Sequence, residues 1–242
     1  MQGIKVGDGE TICVTKPPGY MMRQPHGLGP IGDRLLQIYE RLRGHFGSQH
    51  WWPGDTPFEV CIGAILTQNT NWGNVERAIL NLKAKGLLEP AALYNLPRDV
   101  LAEIIRPAGY FNIKAQRLHA FIDFLMGRFN GDLNAMFSSG LEDLRPVLLG
   151  IKGIGPETAD SIILYAGGLA TFVIDAYTAR ALLRHDLIGQ DAEYEEVRSI
   201  FMDHLPADPA LFNEFHALWV ALGKKYCKKT GPKCDLCPLK DI

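Results

Sequence analysis

The stretch that decides the fold is "LLGIKGIGPETADSIILYA", residues 148–166, in which three glycines and a proline separate two apolar runs. Such a break joins two short helices through a tight hairpin, because Gly153 and Gly155 permit a positive φ and Pro156 suits the first position of a helix. Backbone N–H groups at a helix N-terminus attract anions, and Lys152 adds a positive charge beside them. The segment predicts a helical hairpin that can bind phosphate. An ordinary turn between helices is the alternative on spacing alone.

Apolar residues recur with helical spacing on both sides of this hairpin. They fall on one face of "IGDRLLQIYERLRGHF", residues 31–46. The next helix, in "TPFEVCIGAILTQN", opens with a capping box from Thr56 to Glu59 and with Pro57 at its first position. Few segments alternate with a period of two, so the chain predicts an all-α fold. Further helices are predicted over 71–86, 90–95, 97–106, 113–128, 141–149, 156–167, 175–185, 193–204 and 209–226.

Composition limits the possible classes of protein. With 242 residues, 47% of them hydrophobic, the chain can form one large or two small domains. No apolar run is long enough to cross a membrane, and the glycine- and proline-rich residues 1–29 lack the apolar core of a signal peptide. We therefore expect a mobile N-terminal arm and a cytoplasmic protein. The net charge of −2 gives no global sign of a polyanionic partner, so a nucleic-acid function must depend on local features.

The five cysteines are unevenly placed. Cys13 lies in the N-terminal arm, and Cys61 lies in the apolar run "FEVCIGAIL", where a buried core thiol is expected. The spacing of Cys227, Cys234 and Cys237 is C-x6-C-x2-C, which indicates a ligand set and not a disulfide framework.

Four motifs together resemble the endonuclease III superfamily of helix-hairpin-helix DNA glycosylases. They are "IKGIGPETAD" for the hairpin, "VIDAYTARALLR" for the segment with the catalytic aspartate, "PFEVCIGAILTQNT" for an early helix, and "HALWVALGKKYCKKTGPKCDLCPLKDI" for the cluster-binding tail. The match runs from about residue 31 to the end in the family's order. Within the superfamily, "WWP" followed by "LTQNT" is most similar to the 3-methyladenine DNA glycosylases of endonuclease III type.

The resemblance implies a two-domain architecture. A six-helix barrel over 57–168 would carry the hairpin at 148–166, and a second domain would form from 30–56 together with 169–242. The cluster loop would cover 227–242, and the active cleft would lie between the domains. The implied partner is double-stranded DNA with a damaged base. The protein would bind it as a monomer, in the cytoplasm and in association with the nucleoid.

The resemblance assigns the chemistry to two acidic residues. Asp175 falls at the position of the family's catalytic aspartate, where an ionised carboxylate stabilises the cationic sugar. A helix N-cap is an alternative role for Asp175, compatible with catalysis. Glu157 stands where bifunctional members carry the lysine that forms a Schiff base, which a carboxylate cannot form. We therefore expect base removal without lyase activity, with Glu157 in the base pocket. Two alternatives remain open: a glycosylase/lyase for oxidised pyrimidines or mismatched bases, and a non-catalytic DNA-binding module.

Other residues receive roles in DNA binding. Gln68 resembles the family's glutamine that fills the gap left by a flipped nucleotide. Trp52 and Trp72 are expected to be pocket walls that sandwich a cationic alkylated base, with core packing as the alternative. The residues expected to form the phosphate-binding hairpin are Lys152, Gly153, Ile154, Gly155 and Thr158.

The tail resembles the superfamily's [4Fe–4S] loop, with Cys227, Cys234 and Cys237 as ligands. The family's fourth cysteine would fall at position 243, beyond Ile242. A ligand at that position, another fourth ligand, or no cluster at all are open possibilities. Zinc bound with a histidine such as His216 is the alternative metal.

Overall fold

The structure, a computed structural model, describes residues 28–242. Within that range the chain forms helices, short helical turns and loops, and it contains no β-strand. The predicted all-α class is therefore confirmed. The expected N-terminal arm, residues 1–29, lies almost entirely outside the described residues. From residue 28 onward, no helix has both the length and the apolar character needed to cross a bilayer.

The helices follow the predicted order. The sequence analysis did not predict α7, because a helix of five residues is too short to show an apolar period. Asp132 is the N-cap of this helix. The helix α9 continues into a π-helical turn over Ile162–Ala166. The α-helices are α1 (Gly29–Phe46), α2 (Pro57–Leu66), α3 (Trp72–Ala84), α4 (Pro90–Tyr94), α5 (Arg98–Ile104), α6 (Phe111–Phe129), α7 (Leu133–Phe137), α8 (Gly140–Leu149), α9 (Pro156–Ser161), α10 (Ala176–Arg184), α11 (Tyr194–His204) and α12 (Pro209–Lys225).

Half of the predicted capping box of α2 is present. The hydroxyl of Thr56 accepts a hydrogen bond from the backbone N–H of Glu59 at 3.1 Å, and Pro57 occupies the first helical position. The carboxylate of Glu59 does not complete the box. It accepts instead from the backbone N–H of Asp55 at 3.1 Å and pairs with Lys83 at 2.8 Å. The ion pair with α3 therefore replaces the reciprocal half of the box.

Apolar side chains pack into two separate buried clusters. The first cluster consists of buried side chains between Phe58 and Ile163, and we call it the barrel cluster because it falls within the segment for which the resemblance implies a barrel. The second cluster combines buried side chains of α1 with those between Leu164 and Leu239. Each fully buried large apolar side chain contributes about 1.5–3 kcal/mol relative to an exposed one. The chain passes from one cluster to the other within the π-helical turn. The hairpin formed by α8 and α9 therefore stands at the junction of the two clusters.

A buried carboxylate joins the hairpin to the segment that follows it. The side chain of Asp160 has no solvent exposure. We call this carboxylate and the groups that donate to it the Asp160 node. Arg145 of α8 forms a two-pronged ion pair with this carboxylate at 2.8 and 3.0 Å. Thr171 and Tyr194 donate to it at 2.7 and 2.9 Å. The Tyr194 hydroxyl also accepts from the backbone N–H of Ile174 at 3.3 Å, immediately before Asp175.

We expect the substitution Asp160→Asn to destabilise the protein by about 3 kcal/mol. The amide nitrogen would face the donors of Arg145 and Tyr194, and removing one partner of a buried ion pair leaves the other uncompensated. Urea unfolding of both proteins measures the difference. Asp123→Asn, on an exposed position of α6, is the matched control and should change stability by less than about 0.5 kcal/mol. Equal unfolding midpoints for Asp160→Asn and the wild type would contradict this role of the node.

Candidate active site

A cavity of about 990 Å³ lies where the two clusters meet. Its lining comes from the loop before α2, the end of α2, the hairpin, the start of α10 and one face of α12. The chain therefore places aromatic rings, two carboxylates and a histidine from distant segments around one space. A cavity of this size fits a small organic group such as a nucleobase.

Asp175 lies at the start of α10 and lines this cavity. Its Oδ1 accepts a hydrogen bond from the backbone N–H of Thr178 at 2.7 Å, so the N-cap role considered from the sequence is confirmed. Its Oδ2 lies 3.6 Å from Nε2 of His216, and the carboxylate is 13% exposed. Burial alone raises the pKa of Asp175, but His216 and Thr178 outweigh burial and hold that pKa below its ordinary value. The carboxylate is ionised at neutral pH.

Glu157 is the second carboxylate of the cavity, at the second position of α9. Glu157 is an exposed residue, and it lines the cavity beside Asp175. Protein atoms around its carboxyl group reduce hydration of the charged form, and this desolvation, together with the negative charge of Asp175, raises the pKa of Glu157 to about 7. Two carboxyl groups in one cavity thus differ in protonation near neutral pH, which is an arrangement typical of acid–base chemistry.

Trp52 and Trp72 both line the cavity, but they do not face each other as a sandwich. Their rings meet edge to face, with centroids 5.3 Å apart and planes at 90°, so no base fits between them. Trp52 instead lies over Tyr165 at 5.1 Å with a 33° tilt. Trp72 also packs against the barrel cluster. The two tryptophans therefore contribute both to the cavity wall and to core packing, and both indoles lie near Gly63 of α2.

The amide of Gln68 is fully engaged by the hairpin. Its Nε2 donates to the backbone oxygen of Gly153 at 3.0 Å and to Oγ1 of Thr158 at 2.8 Å. Its Oε1 accepts a short hydrogen bond from the guanidinium of Arg117 of α6. The side chain thus links α2, α6 and the hairpin in this conformation, and it does not project freely from the surface.

The hairpin residues differ in what they offer to a ligand. Lys152 and Gly153 are exposed, and the φ of Gly153 is +92°, which explains the glycine there. Gly155 has a φ of −92°, so it does not adopt the positive φ that a glycine permits. Ile154 is buried in the barrel cluster, so only its backbone can face a ligand. Thr158 is also buried, and its hydroxyl accepts a hydrogen bond from Gln68 instead of facing a phosphate.

The sequence analysis missed several cavity residues. Trp51, Lys224 and, from α12, His216 line the cavity together with the carboxylates, and Tyr165 contacts His216 from outside the cavity lining. The ring of His216 contacts the Tyr165 hydroxyl at 2.5 Å through Nδ1. Lys224 lies over Trp51, with Nζ 5.8 Å from the ring centroid. The sequence analysis considered His216 only as a zinc ligand, and its polarity within the apolar run "HALWVALG" is the one local signal for a role in the cavity.

The three clustered cysteines line a second cavity, of about 600 Å³, which lies elsewhere in the second cluster. Cys227 is buried, and its Sγ accepts a hydrogen bond from Arg184 at 3.1 Å. His216 does not line this cavity, so it is not placed to complete the alternative zinc site with these cysteines; the histidine in the lining is His185. Among residues 28–242, no group of three or more His, Cys, Asp or Glu side chains has a metal-binding arrangement.

An all-helical fold with a helical hairpin beside an aromatic, acidic cavity defines the helix-hairpin-helix class of DNA-repair proteins. Residues 62–207 match the HhH-GPD superfamily base excision DNA repair proteins. A protein of Methanocaldococcus jannaschii, provisionally named a DNA repair glycosylase, is 46% identical over 212 residues, which cover 87% of this chain and 96% of that protein. The chain belongs to the HhH-GPD superfamily, and the resemblance seen in the sequence is confirmed.

Further relatives and solved structures agree with this assignment. Endonuclease III of Sulfolobus acidocaldarius is 27% identical over 185 residues, which cover 76% of this chain and 80% of that protein. The structure of an H. pylori 3-methyladenine DNA glycosylase bound to 1,N6-ethenoadenine has a TM-score of 0.70 at 27% identity, covering 79% of this chain and 97% of that chain. A non-covalent endonuclease III–DNA complex has a TM-score of 0.74 at 22% identity, covering 86% and 93%, and shares the fold.

Proposed function

We propose that this chain is a monofunctional DNA glycosylase that removes alkylated purines, such as 3-methyladenine, from double-stranded DNA. The observation that carries the proposal is the pair Asp175 and Glu157 inside an aromatic cavity. An ionised Asp175 stabilises positive charge on the sugar as the N-glycosidic bond breaks. The oxygen of a water molecule bonds to the anomeric carbon, the electron pair of the broken N-glycosidic bond leaves with the base, and the excess proton of that water passes to solvent.

The charges of the cavity favour a cationic base. Aromatic faces attract a positively charged ring, with a cation–π contribution of roughly 0.5–2 kcal/mol, and the carboxylate of Asp175 adds a negative field. An alkylated purine that is already positive leaves as a neutral base and therefore needs no proton from an acid. The likeness to the H. pylori 3-methyladenine DNA glycosylase supports this choice of substrate.

DNA would bind across the hairpin. In this proposal Lys152 and the backbone of Gly153, Ile154 and Gly155 hold a phosphate, while Gln68 fills the gap beside the extruded nucleotide. Gln68 would then have to exchange its bonds to Gly153 and Thr158 for bonds to DNA. Because one chain supplies every wall of the cavity, a monomer suffices, and nucleoid DNA would be its site of action.

Asp175→Asn should reduce base release by about 10²–10⁴-fold, because an amide cannot stabilise the cationic sugar. Asparagine is an equally good N-cap, so the fold and duplex binding should persist. Single-turnover release from duplexes carrying 3-methyladenine, an oxidised pyrimidine or a mismatched thymine measures both rate and substrate. Asp208→Asn, which alters the N-cap of α12, is the matched control and should behave as wild type.

Two results of that experiment would count against the proposal. Undiminished release by Asp175→Asn would remove the catalytic assignment. Release of the oxidised pyrimidine or the mismatched thymine in preference to 3-methyladenine would replace the substrate class.

Lyase activity is the second candidate function, and Lys224 is the observation that favours it. This lysine lines the cavity, although it lies against Trp51 and not at the position of Glu157. We nevertheless expect wild-type protein to form no borohydride-trapped complex with lesion-bearing DNA, because Glu157 cannot form an imine. Glu157→Lys should gain trapping. A trapped wild-type complex that disappears in Lys224→Met would establish a lyase.

We also propose that the cysteine cavity holds a [4Fe–4S] cluster through Cys227, Cys234 and Cys237. Three thiols and an N–H donor to one sulfur are a donor set suited to iron–sulfur ligation, and bound iron would supply a structural link for the tail. Lysines near the loop would then approach the DNA backbone.

Purified protein should accordingly be brown and contain iron. Cys237→Ser should lose the visible absorbance and most of the iron, because a ligand is removed. Cys61→Ala is the control, since this thiol is buried in the barrel cluster and should leave the iron content unchanged. Colourless wild-type protein with stoichiometric zinc would contradict the assignment.

A further inference from the structure

His216 is a buried polar ring within an apolar helix face. The residue is 3% exposed, and its neighbours Phe215 and Ala217 belong to the apolar interior. Nδ1 has a partner in the Tyr165 hydroxyl at 2.5 Å. Nε2 has no hydrogen-bond partner and lies 3.6 Å from Oδ2 of Asp175. A buried polar atom without a partner is costly, so its orientation toward a carboxylate needs an explanation.

Tyr165 decides which nitrogen of His216 carries the hydrogen. Burial, and then the negative charge of Asp175, raise the pKa of Tyr165 well above its ordinary value, so the hydroxyl stays protonated. A protonated hydroxyl can donate to Nδ1, which leaves the imidazole hydrogen on Nε2. That hydrogen then faces the carboxylate. We assign this tautomer from the hydrogen-bonding pattern.

We propose that His216, oriented by Tyr165, is a positioning residue that holds Asp175 ionised and correctly placed for base removal. The inference rests on the proposed function, because it takes Asp175 as the catalytic carboxylate. In the conformation described, the imidazole stops slightly beyond hydrogen-bond distance. A small movement of either side chain when the cavity is filled would close that gap.

The relation connects three separate parts of the chain. Tyr165 belongs to the π-helical turn after the hairpin, Asp175 caps α10, and His216 lies in α12. His216 also interacts electrostatically with Glu157, because it opposes the rise in the pKa of that carboxyl group. The titratable groups beside His216 from other elements are Tyr165, Asp175 and Glu157, and Lys224 of its own helix lines the same cavity.

A titration of Asp175 tests the proposal without any need for activity. Protein labelled with ¹³C at the aspartate carboxyl carbon is titrated by NMR, and Asp175→Asn identifies the signal. Replacing His216 with leucine should raise the pKa of Asp175 by about 1 unit or more, because burial then raises this pKa without the interaction with His216 that lowers it. His216→Gln should partly restore the low pKa, since its amide can donate a hydrogen bond.

Two more variants complete the experiment. Tyr165→Phe removes only the hydroxyl and should raise the pKa of Asp175 by a smaller amount, which keeps the test decisive if His216→Leu does not fold. His119→Leu is the matched control, because His119 is a partly buried histidine of α6 that also has an unpartnered Nε2. It should leave the titration unchanged.

The same variants are then compared in single-turnover base release across pH. The acidic limb of the pH–rate profile should move upward in His216→Leu by the same amount as the pKa of Asp175. An unchanged pKa of Asp175 in folded His216→Leu, or in Tyr165→Phe where the leucine variant does not fold, would overturn the proposal. Absence of base release by wild-type protein, with the shifted titration present, would instead count against the proposed function alone.

Discussion

The arrangement of the site depends on one buried carboxylate, that of Asp160. A charge in the protein interior is tolerated only when donors surround it, and Arg145, Thr171 and Tyr194 supply them. These donors come from α8, from the segment after the hairpin and from the start of α11. The carboxylate of Asp160 therefore links the hairpin to the backbone that leads to Asp175, although the two segments belong to different apolar clusters.

The two cavity carboxylates show how position, and not residue type, sets chemical character. Asp175 has a helix N-terminus and a histidine beside it, and both favour its ionised form. The carboxyl group of Glu157 loses hydration to nearby protein atoms and has the charge of Asp175 beside it, and both effects favour its neutral form. The ionised carboxylate of Asp175 therefore lies among aromatic rings, while the neighbouring Glu157 tends toward its neutral form.

The hairpin is less independent than its sequence suggests. Arg117 lies against Gly153, so that even a β-carbon at this glycine would collide with the arginine side chain. The same guanidinium contacts Gln68, which in turn contacts Thr158. Any movement of Gln68 toward DNA would therefore release contacts that hold the hairpin. If the hairpin binds phosphate and Gln68 fills the gap, as proposed, these contacts would couple the two events.

The sequence by itself determined the helices, the hairpin and the cap at Asp175, because periodicity and capping depend on residues only a few positions apart. It also indicated the cavity side chains that belong to recognisable motifs, Asp175, Glu157 and Trp52 among them. Only the tertiary structure decided that Trp52 and Trp72 meet edge to face, that Thr158 serves Gln68, and that Tyr165 and His216, 51 positions apart, stand beside Asp175. These relations arise from how two apolar clusters pack against each other, and no local pattern in the chain encodes the angle or the distance at which separate helices meet.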